Sequence, residues 1–121
     1  MNEHYYSEKP TSEIKEKVFK ETYKNKTLEF VSVSGVFAFE NHIDKASRIL
    51  IETFKPTGHK VLDMGCGYGA IGLFIKALYP QLIVTLTDIN ERAVLYAQKN
   101  AERNNLWVQI IKGDLYEGVG N

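Results

Sequence analysis

A run of glycines that follows a carboxylate is the segment whose residue types could carry chemistry. Residues 63–72 read Asp-Met-Gly-Cys-Gly-Tyr-Gly-Ala-Ile-Gly. Glycine lacks Cβ and accepts positive φ, so this segment suits a strand that turns sharply into a helix and leaves its backbone open to a ligand. Gly67, Gly69 and Gly72 also satisfy the spacing of dinucleotide-binding loops. The glycines alone do not identify the ligand, and a tight turn without any ligand is the alternative.

Of the two carboxylates near this loop, Asp63 discriminates between ligand classes and Asp88 does not. Asp88 follows the glycines by about twenty residues and ends a predicted strand, where a carboxylate holds ribose hydroxyls. NAD and S-adenosylmethionine both carry such a ribose. Asp63 precedes the first glycine, where it would repel the pyrophosphate of a dinucleotide. Because the same carboxylate would attract an ammonium and a sulfonium group, the residues predict S-adenosylmethionine as the cofactor.

A third carboxylate, Asp114, follows the next predicted strand after Gly113. Its position suits a hydrogen bond to the adenine amino group, although Gly-Asp after a strand is also ordinary turn chemistry. We expect the methionine part at Asp63 and the glycines, the ribose at Asp88, and the adenine between Ile89 and the turn at Asp114. The predicted cofactor-binding residues are Asp63, Gly65, Cys66, Gly67, Tyr68, Gly69, Asp88, Ile89, Asn90, Asp114 and Leu115.

Alternating strands and helices position these residues. The hydrophobic pattern predicts strands at 61–64, 82–87 and 106–112, with helices at 70–79 and 91–104 between them. Short connections in this order favour parallel strands joined by right-handed crossovers, which is a three-layer α/β half-fold. The carboxyl ends of the strands then share the sheet edge at which ligands bind. The side chains predicted to face inward are Ile71, Phe74, Ile75 and Leu78 in the first helix, and Ala93, Val94, Ala97 and Ala101 in the second.

The front of the chain predicts a hairpin and a helix. Residues 14–23 are compatible with a helix or a strand, but 27–33 is rich in strand formers and Lys24-Asn25-Lys26 suits a turn, which favours a hairpin. Residues 43–54 predict an amphipathic helix. Its expected apolar face consists of Ile43, Ala46, Ile49, Leu50 and Phe54. We expect one partial domain, 1–121, with an irregular arm, hairpin and helix in 1–58 and the cofactor-binding half in 59–121.

Composition limits the remaining classes. The 121 residues suffice for one domain, and 15 basic residues balance 15 acidic ones, so the overall charge indicates neither a nucleic acid nor a membrane partner. A local patch could still bind RNA. The single cysteine excludes an internal disulfide, and no signal-peptide or membrane-length apolar run occurs. We therefore expect a soluble cytoplasmic protein without a metal site.

Several residues have both a chemical and a structural interpretation. Cys66 could be proposed as a nucleophile, but we expect a small side chain filling a crowded turn. We expect Phe37 to be a core contact rather than a stacking surface for a ligand. The mixture of lysines and glutamates between residues 9 and 26 predicts a solvated face rather than an RNA-binding one. No metal-ligand spacing is formed by His4, His42 and His59.

The motifs resemble one family. Residues 61–72 resemble the first motif of class I methyltransferases, in particular the small-subunit ribosomal RNA guanine-N2 methyltransferases and their small single-domain relatives. Residues 87–93 resemble the ribose-binding turn of that family, and 113–116 its adenine-side turn. His4-Tyr5-Tyr6-Ser7 and residues 34–37, followed by Asp44 and Leu50-Ile51, resemble its opening segment. The resemblance implies a Rossmann-like fold, S-adenosylmethionine as cofactor and methylation of an exocyclic guanine amine in ribosomal RNA.

One departure from the family concerns the acceptor. Members carry Asn-Pro-Pro at the end of the fourth strand, where it holds the amine, and this sequence contains no such tripeptide. A lesser departure is Ala38, where relatives often carry serine. We therefore predict no catalytic residue in these 121 residues, little activity of the chain alone, and strand 61–64 at a sheet edge that invites self-association. The alternatives are a non-catalytic cofactor- or partner-binding module and a NAD-dependent oxidoreductase fragment.

Overall fold

The structure, a computed structural model, describes residues 13–113. The predicted arm at 1–12 and the residues from Asp114 onward lie outside that range, and so do the predicted contacts of Asp114 and Leu115. The elements are, in chain order, β1 (Glu16–Tyr23), β2 (Lys26–Val33), α1 (Lys45–Thr53), β3 (Lys60–Met64), α2 (Ala70–Leu78), β4 (Ile83–Asp88), α3 (Glu91–Arg103) and β5 (Gln109–Lys112). The order confirms the α/β fold with a preceding hairpin and helix.

Strands β3, β4 and β5 form a parallel sheet in that order. Both connections are helical crossovers in the same direction, so α2 and α3 pack on one face of the sheet. The pleat directs Leu62, Met64 and Ile83 to the opposite face, where each is 44–54% exposed. Among the described residues β3 pairs only with β4, which confirms the expected edge position of strand 61–64.

Residues 16–33 form an antiparallel hairpin. The segment 14–23, whose sequence was compatible with a helix or a strand, therefore contains a strand. Tyr23 pairs with Lys26 across a two-residue turn. Lys24 and Asn25 have φ values of 48° and 66°, and a turn with both central residues in the left-handed region matches the twist of the strands that it joins. Asparagine tolerates this conformation well, so the turn forms where the sequence predicted it.

Asn100 of α3 and Asn104, the C-cap residue of that helix, hydrogen-bond the outer edge of β2. In an antiparallel pair alternate residues direct their backbone groups away from the partner strand, as Glu29 and Val31 do here. The side chain of Asn100 accepts a hydrogen bond from Val31 N (2.9 Å) and donates to Val31 O (3.0 Å). Asn104 bonds Glu29 N (2.9 Å) and Glu29 O (2.8 Å) in the same way. The four helical residues from Asn100 to Asn104 rise about 6 Å and two strand residues rise about 7 Å, so the two side chains match alternate residues of the strand edge.

An aromatic cluster joins the hairpin to the helices. Phe30 and Tyr23 contact the ring of Phe74 in α2, with centroids 5.7 and 4.9 Å apart. Phe19 and Phe30 both contact Tyr68, which lies in the glycine segment between β3 and α2. The core therefore extends from the hairpin to the base of the predicted cofactor loop.

Helix α1 differs from its prediction. It is shorter than 43–54, because Asp44 caps its first turn by accepting a hydrogen bond from Ser47 N (3.1 Å). The predicted apolar face is right only at its two ends, where Ile43 is buried and Phe54 packs partly buried against the core. Between them Ala46, Ile49 and Leu50 are exposed, and the buried residue of the helix is Ile51. This helix packs mainly against α2, so the position of α2 rather than the widest apolar stripe decides which side is buried.

Helices α2 and α3 follow their predictions more closely. All four residues predicted on the inner face of α3 are buried. In α2, Ile71 and Leu78 are only partly buried, while Leu73 and Ala77 are buried, because α2 lies between the sheet and the hairpin and is covered on most sides. None of the helices within residues 13–113 has the length and apolar character that crossing a bilayer requires.

Candidate functional site

The glycine segment turns β3 into α2 through left-handed conformations. Gly65, Gly67 and Gly69 have φ values of 65°, 58° and 103°, which residues with a Cβ adopt only with strain. Cys66 N donates to Thr87 O at 2.9 Å and ties the turn to the end of β4. Gly72 has a different role, because a Cβ there would lie 2.9 Å from Leu86 Cδ1, inside the contact between helix and strand. The third glycine of the sequence pattern therefore serves packing.

Asp88 joins the glycine turn to the start of α3. Its Oδ2 accepts a hydrogen bond from Gly67 N (2.9 Å), and its Oδ1 accepts one from Asn90 N (2.9 Å). Each carboxylate oxygen has two acceptor positions, so these bonds leave capacity for the hydroxyl groups of a ligand. The side chain is partly buried and lines a cleft at this edge of the sheet.

Asp63 lies deeper at the same edge. Its Oδ2 accepts a hydrogen bond from Gly72 N at 3.0 Å. Burial raises the pKa of this carboxyl to about 6; the bond from Gly72 opposes the rise, and the charge of Asp88 adds to it. A cation in the cleft would favour the ionised carboxylate.

The cleft has a volume of about 340 Å³ and opens at the carboxyl ends of β3 and β4. Eight of the predicted cofactor residues line it: Asp63, Gly65, Cys66, Gly67, Tyr68, Asp88, Ile89 and Asn90. Gly69 is not among the lining residues, since it packs against Leu73 and Ala97. Three carboxylates line the cleft, those of Asp44, Asp63 and Asp88, and in the described part of the chain no lysine, arginine or histidine does.

The opposite wall was missed by reasoning from the glycine segment. Val36, Phe37 and Ala38 line the cleft from the segment after β2, and Asp44 and Ser47 line it from the first turn of α1. The expectation that Phe37 is a core contact is wrong, because its side chain is 65% exposed at the cleft. The signal that could have found this wall was the resemblance of residues 34–37 and Asp44 to the opening segment of the methyltransferase family.

Side chains of α3 hold this wall in place. Asn90 caps α3 by accepting hydrogen bonds from Arg92 N (2.9 Å) and Ala93 N (3.2 Å). Its Nδ2 donates to Gly35 O at 2.9 Å, and Arg92 donates to Ser34 O at 2.7 Å. Val36, which follows Gly35 in the chain, is buried and packs against Gly67. The segment after the hairpin is therefore fixed to the same turn that presents Asp88.

Cys66 does not have the environment of a nucleophile. Burial raises the pKa of its thiol strongly, and the charges of Asp63 and Asp88 raise it further, so the thiol remains protonated near neutral pH. This agrees with a small side chain filling a crowded turn. Within residues 13–113 no group of three or more His, Cys, Asp or Glu is arranged to hold a metal ion.

The comparisons with known proteins agree with this architecture. The sequence model of the family described as "Methyltransferase small domain" matches residues 27–121. The uncharacterised protein YbxB of Bacillus subtilis is 39% identical over 122 residues, which covers 98% of this chain and 60% of that protein. The ribosomal RNA small subunit methyltransferase C of Pasteurella multocida is 38% identical over 93 residues, covering 76% of this chain and 28% of that enzyme.

A solved structure is also similar. The 16S rRNA N2 methyltransferase RsmC of T. thermophilus, in complex with AdoMet and guanosine, superimposes with a TM-score of 0.75 and 26% sequence identity. The match covers 93% of this chain and 31% of that one. The present chain thus spans only part of each of these relatives. Its fold, its glycine turn and the family match over most of its length show that the chain belongs to the methyltransferase small domain family.

Proposed function

We propose that this protein is an S-adenosylmethionine-dependent methyltransferase that modifies an exocyclic guanine amine in ribosomal RNA, and that the cleft binds the cofactor. The single observation that carries the proposal is the charge of the cleft. Its carboxylates, together with the absence of basic side chains among its described lining residues, suit a ligand with an ammonium and a sulfonium group. A dinucleotide would place its pyrophosphate beside the same carboxylates.

The hydrogen-bonding groups fit this cofactor. Asp88 can accept from both ribose hydroxyls while it keeps its bonds to Gly67 and Asn90. Gly65 lines the cleft, and a Cβ built on it would have no heavy atom within 4 Å, so a ligand can approach its backbone. When bound, S-adenosylmethionine supplies an activated methyl group. The residues of the chain then need to hold the cofactor, orient it and exclude water around the sulfonium.

The acceptor is proposed from the relatives. RsmC of T. thermophilus carries AdoMet and guanosine in its structure, and the enzyme of Pasteurella multocida is named for the small-subunit ribosomal RNA. No Asn-Pro-Pro occurs in this sequence, so we assign its residues to the cofactor side of the cleft and assign none of them to the acceptor amine. We place the reaction in the cytoplasm, where the free thiol of Cys66 is stable.

Titration calorimetry with S-adenosylmethionine, S-adenosylhomocysteine and NAD tests the cofactor. We expect binding of the first two and none of NAD. A preference for NAD would reject the proposal in favour of an oxidoreductase. The acceptor is tested by incubating undermodified small-subunit RNA with the protein and labelled cofactor, followed by mass mapping of the product. Methyl groups found on an oxygen or on a protein side chain would reject guanine as the acceptor.

We also infer that β3 pairs with a second copy of the chain. The strand is at the edge of the sheet in the described part of the chain, and Leu62 and Met64 on it are about half exposed. Unpaired edge strands of this kind promote association. Sedimentation velocity over a range of concentrations is expected to show a dimer that Leu62→Lys weakens, whereas a monomer at all concentrations would contradict the inference.

A further inference from the structure

Phe37 presents an accessible aromatic side chain at the cleft. It is 65% exposed, whereas Tyr68, the other aromatic residue among the described lining residues, is 3% exposed. Large apolar side chains are usually withdrawn from water, and here the adjacent Val36 is buried while Phe37 is not. Because ligand sites are commonly lined by aromatic side chains, the exposed ring at this cleft is a candidate binding surface.

The backbone is hydrogen-bonded on both sides of Phe37. Before it, side chains of α3 donate to the carbonyls of residues 34 and 35. After it, Lys17 Nζ donates to Phe39 O at 3.4 Å. The hydroxyl of Ser32 donates to Glu40 O. These bonds fix the segment in advance, so a ligand that binds Phe37 does not have to order it.

The residue after Phe37 has an unfavourable backbone conformation. Ala38 has a φ of 66°, in the left-handed region that a residue with a Cβ adopts at a cost. Ala38 also lines the cleft. Such conformations persist where the surroundings enforce them, and they cluster at ligand-binding and active sites. The strained residue thus lies directly beside the exposed ring, which supports a binding role for this part of the wall.

Lys17 adds a positive charge near this part of the wall. Its Nζ lies 4.4 Å from the centroid of the Phe39 ring, two residues after Phe37, and the side chain is exposed. An ammonium group has three donors, so the bond to Phe39 O leaves two for a ligand. Lys17 is not among the described lining residues of the cleft. An aromatic ring with a cation nearby is the combination that binds the bases and the backbone of single-stranded nucleic acid.

We propose that the base of the acceptor nucleotide stacks on Phe37 and that a neighbouring phosphate of the RNA binds Lys17. The inference rests on the proposed function and adds the residues that hold the RNA. Phe37 belongs to the wall opposite the glycine turn, so a cofactor on Gly65 and a base on Phe37 face each other across the cleft. Stacking holds a base by the face of its ring and leaves its exocyclic amine accessible to the methyl group.

The test compares two short, labelled single-stranded RNAs by fluorescence anisotropy, with S-adenosylhomocysteine at saturation. One is an oligouridine with a central guanosine, and the other has an abasic site in place of that guanosine. Phe37→Ala removes the ring, and Phe37→Tyr keeps a ring that can stack. Both variants should fold, because Phe37 lies outside the buried core. Trp107→Ala is the matched control, since Trp107 is an aromatic residue that is 81% exposed and does not line the cleft.

We expect Phe37→Ala to weaken binding of the guanosine strand by about fivefold or more and to leave the abasic strand within about twofold of the unaltered protein. Phe37→Tyr should retain the affinity for both strands, and so should Trp107→Ala. Lys17→Gln should weaken both strands by the same factor and reduce the dependence of binding on salt concentration, because a phosphate contact does not distinguish the bases.

Equal losses for the two strands in Phe37→Ala, no loss for either, or the same loss in Trp107→Ala would overturn the inference. A weaker affinity of Phe37→Ala for S-adenosylhomocysteine in calorimetry would also overturn it, because the ring would then serve the cofactor. If S-adenosylhomocysteine does not bind the unaltered protein, the proposed function fails and the inference fails with it. If S-adenosylhomocysteine binds and neither RNA does, the inference alone fails.

Discussion

Replacing Asn100 with alanine tests how the hairpin is held to the rest of the molecule. The side chain of Asn100 is fully buried and makes three hydrogen bonds: from Val31 N, to Val31 O and to Tyr68 O, at 2.9, 3.0 and 2.8 Å. Alanine at this position leaves all three backbone groups without a partner in a place that water reaches poorly. It also removes the link that Asn100 makes between β2 and Tyr68 in the glycine turn.

The expected loss follows from the cost of unpaired buried groups. Each such group costs about 1–3 kcal/mol, and alanine recovers about 0.6 kcal/mol through its higher helix propensity. Over the three groups, the net loss in free energy of unfolding should therefore be about 2–8 kcal/mol. A typical domain has about 5–15 kcal/mol in total, so this one substitution removes a large share.

Urea denaturation followed by circular dichroism measures this loss. Asn104→Ala is the comparison for which we expect a smaller loss. The two hydrogen bonds of Asn104 to Glu29 are only partly buried, so water can replace them. The expected loss in free energy of unfolding is therefore about 1 kcal/mol. Gln98→Ala, at an exposed site of the same helix, controls for helix propensity. A loss for Asn100→Ala no larger than that for Asn104→Ala would refute the reasoning.

Three further predictions concern the cofactor edge. Asp88→Ala should weaken S-adenosylmethionine by about 1–3 kcal/mol in calorimetry, because the ribose hydroxyls lose their acceptor; an unchanged affinity would reject that role. Gly72→Ala should lower stability by about 1–3 kcal/mol, since its Cβ would lie 2.9 Å from Leu86, whereas Gly58→Ala, with no atom within 4 Å, should not. The pKa of Asp63 is raised from 3.8 to about 6, so its protonated form stabilises the fold at low pH, and that stabilisation is lost as pH rises through 6. Denaturation between pH 4 and 7 should show this decline in the unaltered protein and not in Asp63→Asn, while affinity for the cationic cofactor should increase over the same range. A parallel decline in Asp63→Asn would assign the titration to another group.

The cofactor edge was predictable because its signals are local. Alternation of strands and helices, glycines at a turn that needs positive φ, and the cap at Asn90 are each readable within a few residues. The opposite wall was not predictable in this way. It is placed by hydrogen bonds from Asn90 and Arg92 to the backbone carbonyls of residues 35 and 34, and a carbonyl acceptor leaves no mark on the sequence.

The exposure of individual residues also depended on neighbours that are distant in the chain. Leu50 belongs to the wider apolar stripe of α1 and is nevertheless exposed, because contact with α2 fixes the helix by the side that carries Ile51. Phe37 is a large aromatic residue of the kind usually found in a core, yet it is Val36 that is buried, and the side chain of Phe37 is exposed at the cleft. Such exposure is determined by tertiary packing. The hydrophobic periodicity of one helix or segment carries no information about which distant elements will pack against it.

The asparagine contacts between α3 and β2 have a consequence for the order of folding. Asn100 and Asn104 reach Val31 and Glu29 across 69 and 75 residues of chain. Until α3 has formed, the outer edge of the hairpin presents the same unpaired groups that recruit strands from other chains. The hairpin is synthesised early, and its outer edge remains unpaired until α3, which is synthesised much later, has folded against it. Hydrogen exchange at the amides of Val31 and Glu29 consequently measures the detachment of α3 rather than the opening of the hairpin itself.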